Sequence, residues 1–170
     1  PHLADHGIPV KGVIEPAILM AVKLKPSRLG VIGGRRTVVS GVYRKGFRKH
    51  GIEIRQRIAQ PLSGMIESGD TSSDKLRNAA RRILEPIRSS SHILLACTHY
   101  PAITPLLQGI VSAETEFIDP AVEMVRIVDR WGINTKRDEE FLTSGDPTQM
   151  VASAKNAFGV KIKKASTVEF

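Results

Sequence analysis

The only cysteine of the chain, Cys97, stands where an apolar run ends, and a threonine, a histidine, a tyrosine and a proline follow it. Residues 93–96 (Ile-Leu-Leu-Ala) predict a buried parallel strand, and Pro101 predicts the start of a helix. Cys97 is therefore expected in a strand-to-helix turn, where ligands collect in open α/β sheets and turn amides favour a thiolate. The nearby histidine suits a thiol that works as a nucleophile or a base. The alternative is a small buried hydrophobic side chain, the usual state of a free cysteine.

The elements around this turn alternate between strand and helix, which predicts an α/β fold with a mainly parallel sheet covered on both faces. The predicted strands cover residues 10–14, 29–32, 52–58, 93–96, 115–118 and 140–143. The predicted helices cover residues 17–23, 37–49, 75–87, 120–131 and 147–158. The helix over 75–87 has apolar residues at helical period and a Ser-Ser-Asp stretch before it that can cap its start.

Composition excludes several classes of protein. With 170 residues and 41% hydrophobic residues, the chain can build a core of its own. One cysteine allows neither an internal disulfide framework nor, by itself, a structural zinc site, so no metal is expected. No apolar run approaches the roughly 18 residues that span a bilayer, and the first residues do not resemble a secretory signal. We expect a soluble, cytoplasmic protein that does not bind a membrane.

The formal net charge of +8 raises the question of nucleic acid binding. Eleven lysines and arginines lie between residues 23 and 57, where Glu53 is the only acid, and such a face could attract phosphates. However, no nucleic-acid motif accompanies them, aromatic residues make up only 5%, and the cations over 44–49 have the spacing of a solvated helix face. Nucleic acid is not the expected partner, and a binding module is kept as the alternative.

Residues 96–101 (Ala-Cys-Thr-His-Tyr-Pro), placed after an apolar strand, resemble the second catalytic cysteine motif of the cofactor-independent glutamate racemases, within the wider aspartate/glutamate racemase group. Four further segments agree with that family in order and spacing: residues 7–17, 29–43, 60–69 and 141–146. The resemblance implies two pseudo-symmetric α/β domains. Residues 1–12 would be the end of an incomplete first domain, residues 13–122 the complete second domain, and residues 123–170 a segment returning to the first.

Two departures from the family pattern stand out. Family members carry an upstream portion with an Asp-Ser-Gly loop, a Pro-Tyr-Gly segment and a first cysteine in a Cys-Asn-Thr-like motif, none of which is found in these 170 residues. We expect that the chain lacks an N-terminal portion and, with it, one of the two catalytic cysteines. The second departure is Gly34, where the family usually has a threonine, whereas Thr37 keeps the family's second threonine.

The resemblance implies a glutamate racemase that needs no cofactor and supplies D-glutamate for peptidoglycan synthesis. Inversion of an α-carbon needs one group to remove a proton from one face and another to return one to the other face, and two thiols can do both. By resemblance, Cys97 is the thiol that acts on L-glutamate. The alternatives are a racemase of the same group for aspartate or another amino acid, and a noncatalytic truncated racemase fold that binds through its basic face. A homodimer is an assembly that the chain could form.

The remaining site residues are assigned around this thiol. His99 is expected as its proton partner or as a stabiliser of the thiolate, or else as a structural histidine bound to a backbone carbonyl. Thr98 and Thr37 are expected to bind a substrate carboxylate, although Thr37 could also be a helix N-cap. By resemblance, Glu67 helps the substrate ammonium or the histidine, with a plain surface glutamate as the alternative. Structural roles are expected for two acids that end predicted strands, Glu15 and Asp119.

Overall fold

The computed structural model describes residues 10–132 and 140–169, and a parallel sheet of four short strands lies at its centre. The strands are β1 (Leu29–Gly33), β2 (Ile54–Ile58), β3 (His92–Ala96) and β4 (Glu116–Ile118), in the order β2-β1-β3-β4. The helices that accompany them are α1 (Ile14–Lys23), α2 (Arg35–Val39), α3 (Val42–Arg48), α4 (Gln60–Glu67), α5 (Asp74–Leu84), α6 (Thr104–Gln108) and α7 (Pro120–Asp129), with 3₁₀ turns over Glu85–Ile87 and Tyr100–Ile103. The predicted α/β class with a parallel sheet is confirmed.

The two central strands, β1 and β3, are neighbours from which the chain leaves in opposite directions. After β1 it crosses to β2 at one edge, whereas after β3 it crosses to β4 at the other. Gly33 of β1 pairs with Ala96 of β3, so the next residues, Gly34 and Cys97, leave the sheet side by side. Adjacent strands lie about 4.8 Å apart, and a change of direction of this kind opens a crevice at the carboxyl ends of the strands.

The sheet is covered on both faces, which explains the continuous apolar runs in β1 and β3. One layer packs α1 and α3 on the sheet through Ala17, Ile18, Ala21, Tyr43 and Phe47. The other packs α4, α5 and α6 through Leu62, Ile66, Leu76, Ala80, Leu84 and Leu107. Because both faces are buried, all five residues of β1 are inaccessible to solvent.

Helix α5 forms as its sequence predicts at its start and differs at its end. Ser73 is the N-cap, and its hydroxyl oxygen accepts a hydrogen bond from the Leu76 amide at 3.1 Å. The Asp70 carboxylate in turn accepts a hydrogen bond from the Ser73 hydroxyl at 2.6 Å. The helix ends at Leu84 instead of the predicted Ile87, because Pro86 has no amide hydrogen to continue it.

The C-terminal residues form a small unit that packs against α4. Strands β5 (Phe141–Thr143) and β6 (Ala165–Thr167) pair in parallel, and α8 (Pro147–Phe158) connects them. The predicted helix over 147–158 is confirmed, and the Asp146 carboxylate caps it by accepting a hydrogen bond from the Thr148 amide at 2.8 Å. The Ser153 hydroxyl of α8 donates a hydrogen bond to the Glu67 carbonyl oxygen at 2.6 Å. This contact ties the end of α4 to the C-terminal unit.

Two predicted elements are wrong. Residues 10–14 are not a strand: the chain has no regular structure over 10–12, and α1 begins at Ile14. The segment 10–14 (Val-Lys-Gly-Val-Ile) is too short to distinguish a strand from a helix, and the buried residues Ala17, Ile18 and Ala21 follow a helical period. The helix predicted over 37–49 is two helices. Gly41 separates them with a φ of 66°, a left-handed conformation that ends α2 and redirects the chain into α3.

Within the ranges that the structure describes, no helix is both long enough and apolar enough to cross a bilayer.

Candidate active site

The Cys97 thiol lies at the crevice between β1 and β3, in the turn that leads from β3 to the 3₁₀ turn over Tyr100–Ile103. Its side chain is partly buried and lines a cavity of about 710 Å³. Cys97 is therefore not the fully enclosed hydrophobic residue of the alternative interpretation. A thiol that borders an open cavity can reach a small molecule bound there.

The imidazole of His99 contacts this thiol from the same turn. His99 Nδ1 lies 3.4 Å from Cys97 Sγ, within hydrogen-bond reach for sulfur. On the other side of the ring, His99 Nε2 lies 2.8 Å from Glu67 Oε1 at the end of α4. Neither nitrogen hydrogen-bonds a backbone carbonyl within the described ranges, so the structural alternative for His99 is not what the geometry shows.

Cys97, His99 and Glu67 thus form a continuous chain of thiol, imidazole and carboxylate. A carboxylate at Nε2 accepts a hydrogen bond from that nitrogen and leaves Nδ1 free to exchange a proton with sulfur. It also stabilises the imidazolium that forms when the thiol gives up its proton. The Glu67 side chain is 57% exposed, so its ion pair with His99 is weaker than a buried pair would be. The geometry therefore provides a proton partner for the thiol and an orienting group for that partner.

The cavity in front of Cys97 collects the turns that follow β1, β3 and β4. Thr37 and Thr98 both line it, together with Arg36 and Ser40 of the first turn. Thr37 is the third residue of α2, and the N-cap is Gly34, so the N-cap alternative for Thr37 is wrong. Hydroxyl groups and one arginine are groups that bind a carboxylate, and the lining is otherwise mainly apolar apart from Asp119.

Glu67 does not line this cavity. It borders a second cavity of about 430 Å³, on the side of α8, which also contains His99, Ser153 and Phe158. The rings of His99 and Phe158 are 6.1 Å apart and inclined by 52°. The structure therefore brings Thr37 and Thr98 to the thiol directly, and Glu67 only through the histidine.

Gly34 also has a structural explanation. A Cβ atom at this position would lie 2.9 Å from Gln60 Oε1, closer than real Cβ atoms come to a neighbour. That same oxygen accepts a hydrogen bond from the Arg35 amide at 3.2 Å. A threonine at this position would require the flexible end of the Gln60 side chain to move and to give up this hydrogen bond.

Comparison with known proteins agrees with this architecture. The family model for Asp/Glu/Hydantoin racemases matches residues 4–128, most of the chain. The chain belongs to this racemase family. A curated glutamate racemase from Synechococcus sp. (strain CC9605) is 37% identical over 127 residues, which cover 72% of this chain and 47% of that protein. A glutamate racemase from Limosilactobacillus reuteri (strain DSM 20016) is 28% identical over 173 residues, covering 95% of this chain and 65% of that protein.

Solved racemase structures have the same fold. The glutamate racemase from Thermus thermophilus superimposes with a TM-score of 0.79 at 25% identity, covering 100% of this chain and 67% of that one. The glutamate racemase isoform RacE1 from Bacillus anthracis has a TM-score of 0.82 at 23% identity, covering 96% of this chain and 65% of that one. The chain thus spans about half to two thirds of the length of the relatives that it matches.

The sequence analysis gave no site role to three residues that lie near the Cys97 thiol or line its cavity. Ser63 lies in α4 with its hydroxyl 3.6 Å from the Cys97 sulfur, and the buried Tyr100 side chain lies behind the same turn. Arg36 lines the thiol cavity beside Thr37. A serine among the buried residues of an amphipathic helix was the available signal for Ser63, since α4 buries Leu62 and Ile66 on the same face. No local pattern marks the other two.

The two acids expected to be structural have structural contacts. Asp119 is the N-cap of α7, and its carboxylate accepts a hydrogen bond from the Ala121 amide at 2.9 Å. Asp119 also lines the thiol cavity, which its position at the end of β4 explains. Glu15 forms an exposed ion pair with Lys11 at 2.8 Å in the first turn of α1, not at the end of a strand.

The basic residues of α3 are exposed to solvent, as a solvated helix face requires. These are Arg44, Lys45, Arg48 and Lys49. Over residues 10–132 and 140–169, no group of three or more histidine, cysteine or acidic side chains could hold a metal ion.

Proposed function

We propose that this chain carries one half of the active site of a cofactor-independent glutamate racemase, with Cys97 as one of two thiols that exchange the α-proton. The observation that carries the proposal is the contact chain from Cys97 through His99 to Glu67 at the edge of a substrate-sized cavity. The curated relatives are glutamate racemases, and the structure of the glutamate racemase from Francisella tularensis is a complex with D-glutamate. Glutamate is therefore the substrate that we infer for this chain.

The chemistry requires a base and an acid on opposite faces of the α-carbon. In the direction from L- to D-glutamate, the Cys97 thiolate takes the α-proton and becomes a thiol, and an acid on the other face donates a proton to the carbanion. In the reverse direction the Cys97 thiol is the donor. His99 exchanges a proton with the sulfur between turnovers, and Glu67 holds the ring for that exchange. The opposite thiol belongs to a part of the protein outside these 170 residues.

The groups at the cavity rim suit an acidic amino acid. Thr37 and Thr98 offer hydroxyl donors to a carboxylate next to Cys97, and Arg36 adds a positive charge. No acid lies within 4.0 Å of the Arg36 guanidinium in the described part of the chain. Arg36 is thus available to a carboxylate of the substrate, which supports a dicarboxylic amino acid over a neutral one.

A positive charge near the thiol should increase the rate at which an anionic reagent alkylates Cys97, relative to a neutral one. Iodoacetate is anionic and iodoacetamide is neutral, so their rate ratio measures the local potential. Replacing Arg36 by glutamine should lower the iodoacetate-to-iodoacetamide ratio about two- to fivefold, since a unit charge within several ångströms contributes on the order of 1 kcal/mol near a surface. The rates are read by mass spectrometry from the peptide between Arg88 and Arg126, which contains Cys97.

The matched control is the neighbouring arginine. Arg35 belongs to the same helix but does not line the cavity. Arg35→Gln removes the same charge from the protein and should leave the ratio nearly unchanged. An equal loss in both variants would show that only the overall charge matters.

The function itself is tested with the full-length gene product in deuterium oxide. We expect it to convert L-glutamate to D-glutamate without added cofactor, with one deuterium incorporated at the α-carbon of the product. Circular dichroism follows the inversion and mass spectrometry the deuterium. L-Aspartate is assayed in parallel, because a higher kcat/KM for aspartate would assign the chain to the other substrate. Absence of inversion with both amino acids would contradict the proposal.

The biological role, the cellular location and the domain division are part of the same proposal. A glutamate racemase supplies D-glutamate for peptidoglycan, and we infer that this protein does so in the cytoplasm. We also keep the division into residues 1–12, 13–122 and 123–170. The contact between α8 and α4 joins the C-terminal segment to the second domain, and its return to the first domain stays a proposal that follows from the family resemblance.

A further inference from the structure

The Cys97 thiol has a second polar neighbourhood, on the side that faces the protein interior. Ser63 projects from α4 with its hydroxyl oxygen 3.6 Å from Cys97 Sγ, and either atom can be the donor. Its side chain is buried, with 6% exposed. Ser63 does not line the thiol cavity, so it contacts the sulfur from behind, where no substrate can reach.

Tyr100 adds a second hydroxyl to the same place. Its side chain is entirely buried, and its hydroxyl has no hydrogen-bond partner in the described part of the chain. Burial raises the pKa of Tyr100, the Ser63 hydroxyl opposes this rise and the Cys97 thiol adds to it. Neither group has the distance and angles of a hydrogen bond with the hydroxyl of Tyr100, which follows Cys97 by three residues in the same turn.

A buried hydroxyl without a partner is rare in proteins because it costs stability. A phenylalanine would fill the same space without that cost. The Tyr100 hydroxyl acquires a strong acceptor when the neighbouring thiol loses its proton, since a thiolate accepts hydrogen bonds far better than a neutral thiol does. A donor held in place before the charge forms is the arrangement by which proteins stabilise developing anions.

We propose that Ser63 and Tyr100 are positioning residues for Cys97, whose hydroxyls donate hydrogen bonds to its thiolate from the protein interior. This inference rests on the proposed function in one respect, namely that Cys97 acts as a thiolate during turnover. His99 exchanges the proton through its 3.4 Å contact with the sulfur, and the two hydroxyls hold the sulfur once it is charged. In this arrangement His99 transfers the proton, and Ser63 and Tyr100 stabilise the thiolate.

Other charged groups near the sulfur must be separated from this effect. His99 lies on the same turn, with Glu67 of α4 behind it. Arg36 of α2 and Asp119, at the start of α7, face the thiol across the cavity. The substitutions that follow leave all four of these side chains unchanged.

The test measures the rate of Cys97 alkylation by iodoacetamide as a function of pH. Tyr100→Phe and Ser63→Ala should each shift the midpoint of the rate–pH profile to higher pH. Each should lower the rate at neutral pH about tenfold, the factor that corresponds to one hydrogen bond to a charged group. The full-length gene product is used, and the rate is read from the peptide between Arg88 and Arg126, so other cysteines do not interfere.

A matched control exists for the serine substitution. Ser90 is a buried serine before β3, 6% exposed, and it does not line the thiol cavity. Its hydroxyl does not hydrogen-bond Cys97. Ser90→Ala should leave the midpoint unchanged. Ser63→Thr keeps the hydroxyl and should restore the wild-type profile, which a packing defect at this position would not allow.

The outcomes separate the inference from the proposed function. If Tyr100→Phe and Ser63→Ala shift the midpoint no more than Ser90→Ala does, the inference is overturned. Thermal melting identifies a variant that has unfolded, and Tyr100→Phe then carries the test, because it removes only the hydroxyl oxygen and keeps the ring in the core. A shifted midpoint in a protein that does not racemise glutamate would support the two hydroxyls and reject the racemase. An unshifted midpoint in an active racemase would do the reverse.

Discussion

Serine in place of Cys97 should abolish racemisation almost completely while leaving the fold intact. A hydroxyl has nearly the volume of a thiol, so the turn after β3 and its contacts can persist. It does not ionise near neutral pH and can therefore neither remove the α-proton nor be regenerated by His99. We expect turnover to fall by roughly 10³-fold or more, within or above the range that a general acid or base contributes. The measurement compares initial rates from L- and D-glutamate with far-ultraviolet circular dichroism and thermal melting.

The alternative interpretation of Cys97 makes a different prediction. If the side chain only packs against its neighbours, Cys97→Ser should lower the melting temperature and leave the turnover of the folded protein near that of the wild type. Wild-type turnover in a folded Cys97→Ser variant would reject the assignment of this residue. Binding of glutamate, measured by calorimetry, should persist in the variant, because the groups that bind the carboxylates are separate from the thiol.

The position of the thiol was predictable because its signals are local. The apolar run over 93–96 predicts a strand buried on both faces, and Pro101 limits where the next helix can begin. Both features occur in β3 and in the 3₁₀ turn that follows. The cap of α5 at Ser73 is local in the same sense, because a serine and the amide that it accepts from are three residues apart.

The errors arise where local signals are ambiguous. The apolar residues within 10–14 fit a short strand and the start of a helix equally well, and packing of α1 on the sheet decides in favour of the helix. At Gly41, a glycine inside a helical pattern is tolerated in many proteins. Here its positive φ breaks the helix in two, and the sequence carries no separate mark of that difference.

The site could be predicted only in part, since the contribution of α4 to it depends on tertiary contacts. Thr37 and Thr98 follow β1 and β3, and the parallel pairing of these strands brings them to one edge. The contacts of α4 with the site, in contrast, do not follow from strand pairing. Whether Ser63 and Glu67 meet Cys97 and His99 depends on how α4 docks on the sheet, which no nearby residue determines. The resemblance to the racemases supplied Glu67, whereas Ser63 lies in the same resembling segment but was given no role there.

The second large effect concerns His99. Replacing it by asparagine should lower racemisation by about 10²–10⁴-fold, because the proton of Cys97 then has no partner through which to exchange. Glu67→Gln should cost much less, on the order of tenfold, since it weakens the orientation of the ring and the stabilisation of its charged form but leaves the imidazole in place. Steady-state rates in both directions and solvent deuterium exchange measure the two variants.

The chain offers a matched control at the opposite end of the same strand. His92 begins β3, and its Nε2 lies 3.6 Å from Glu116 Oε2, so it forms a second histidine–glutamate pair far from the thiol. His92→Asn and Glu116→Gln should leave turnover within about twofold of the wild type, since surface pairs contribute little. Because Glu67 acts only through His99, the double variant His99→Asn/Glu67→Gln should be no slower than His99→Asn alone. A double variant that loses the full product of both effects would show that Glu67 contacts the substrate independently of the histidine.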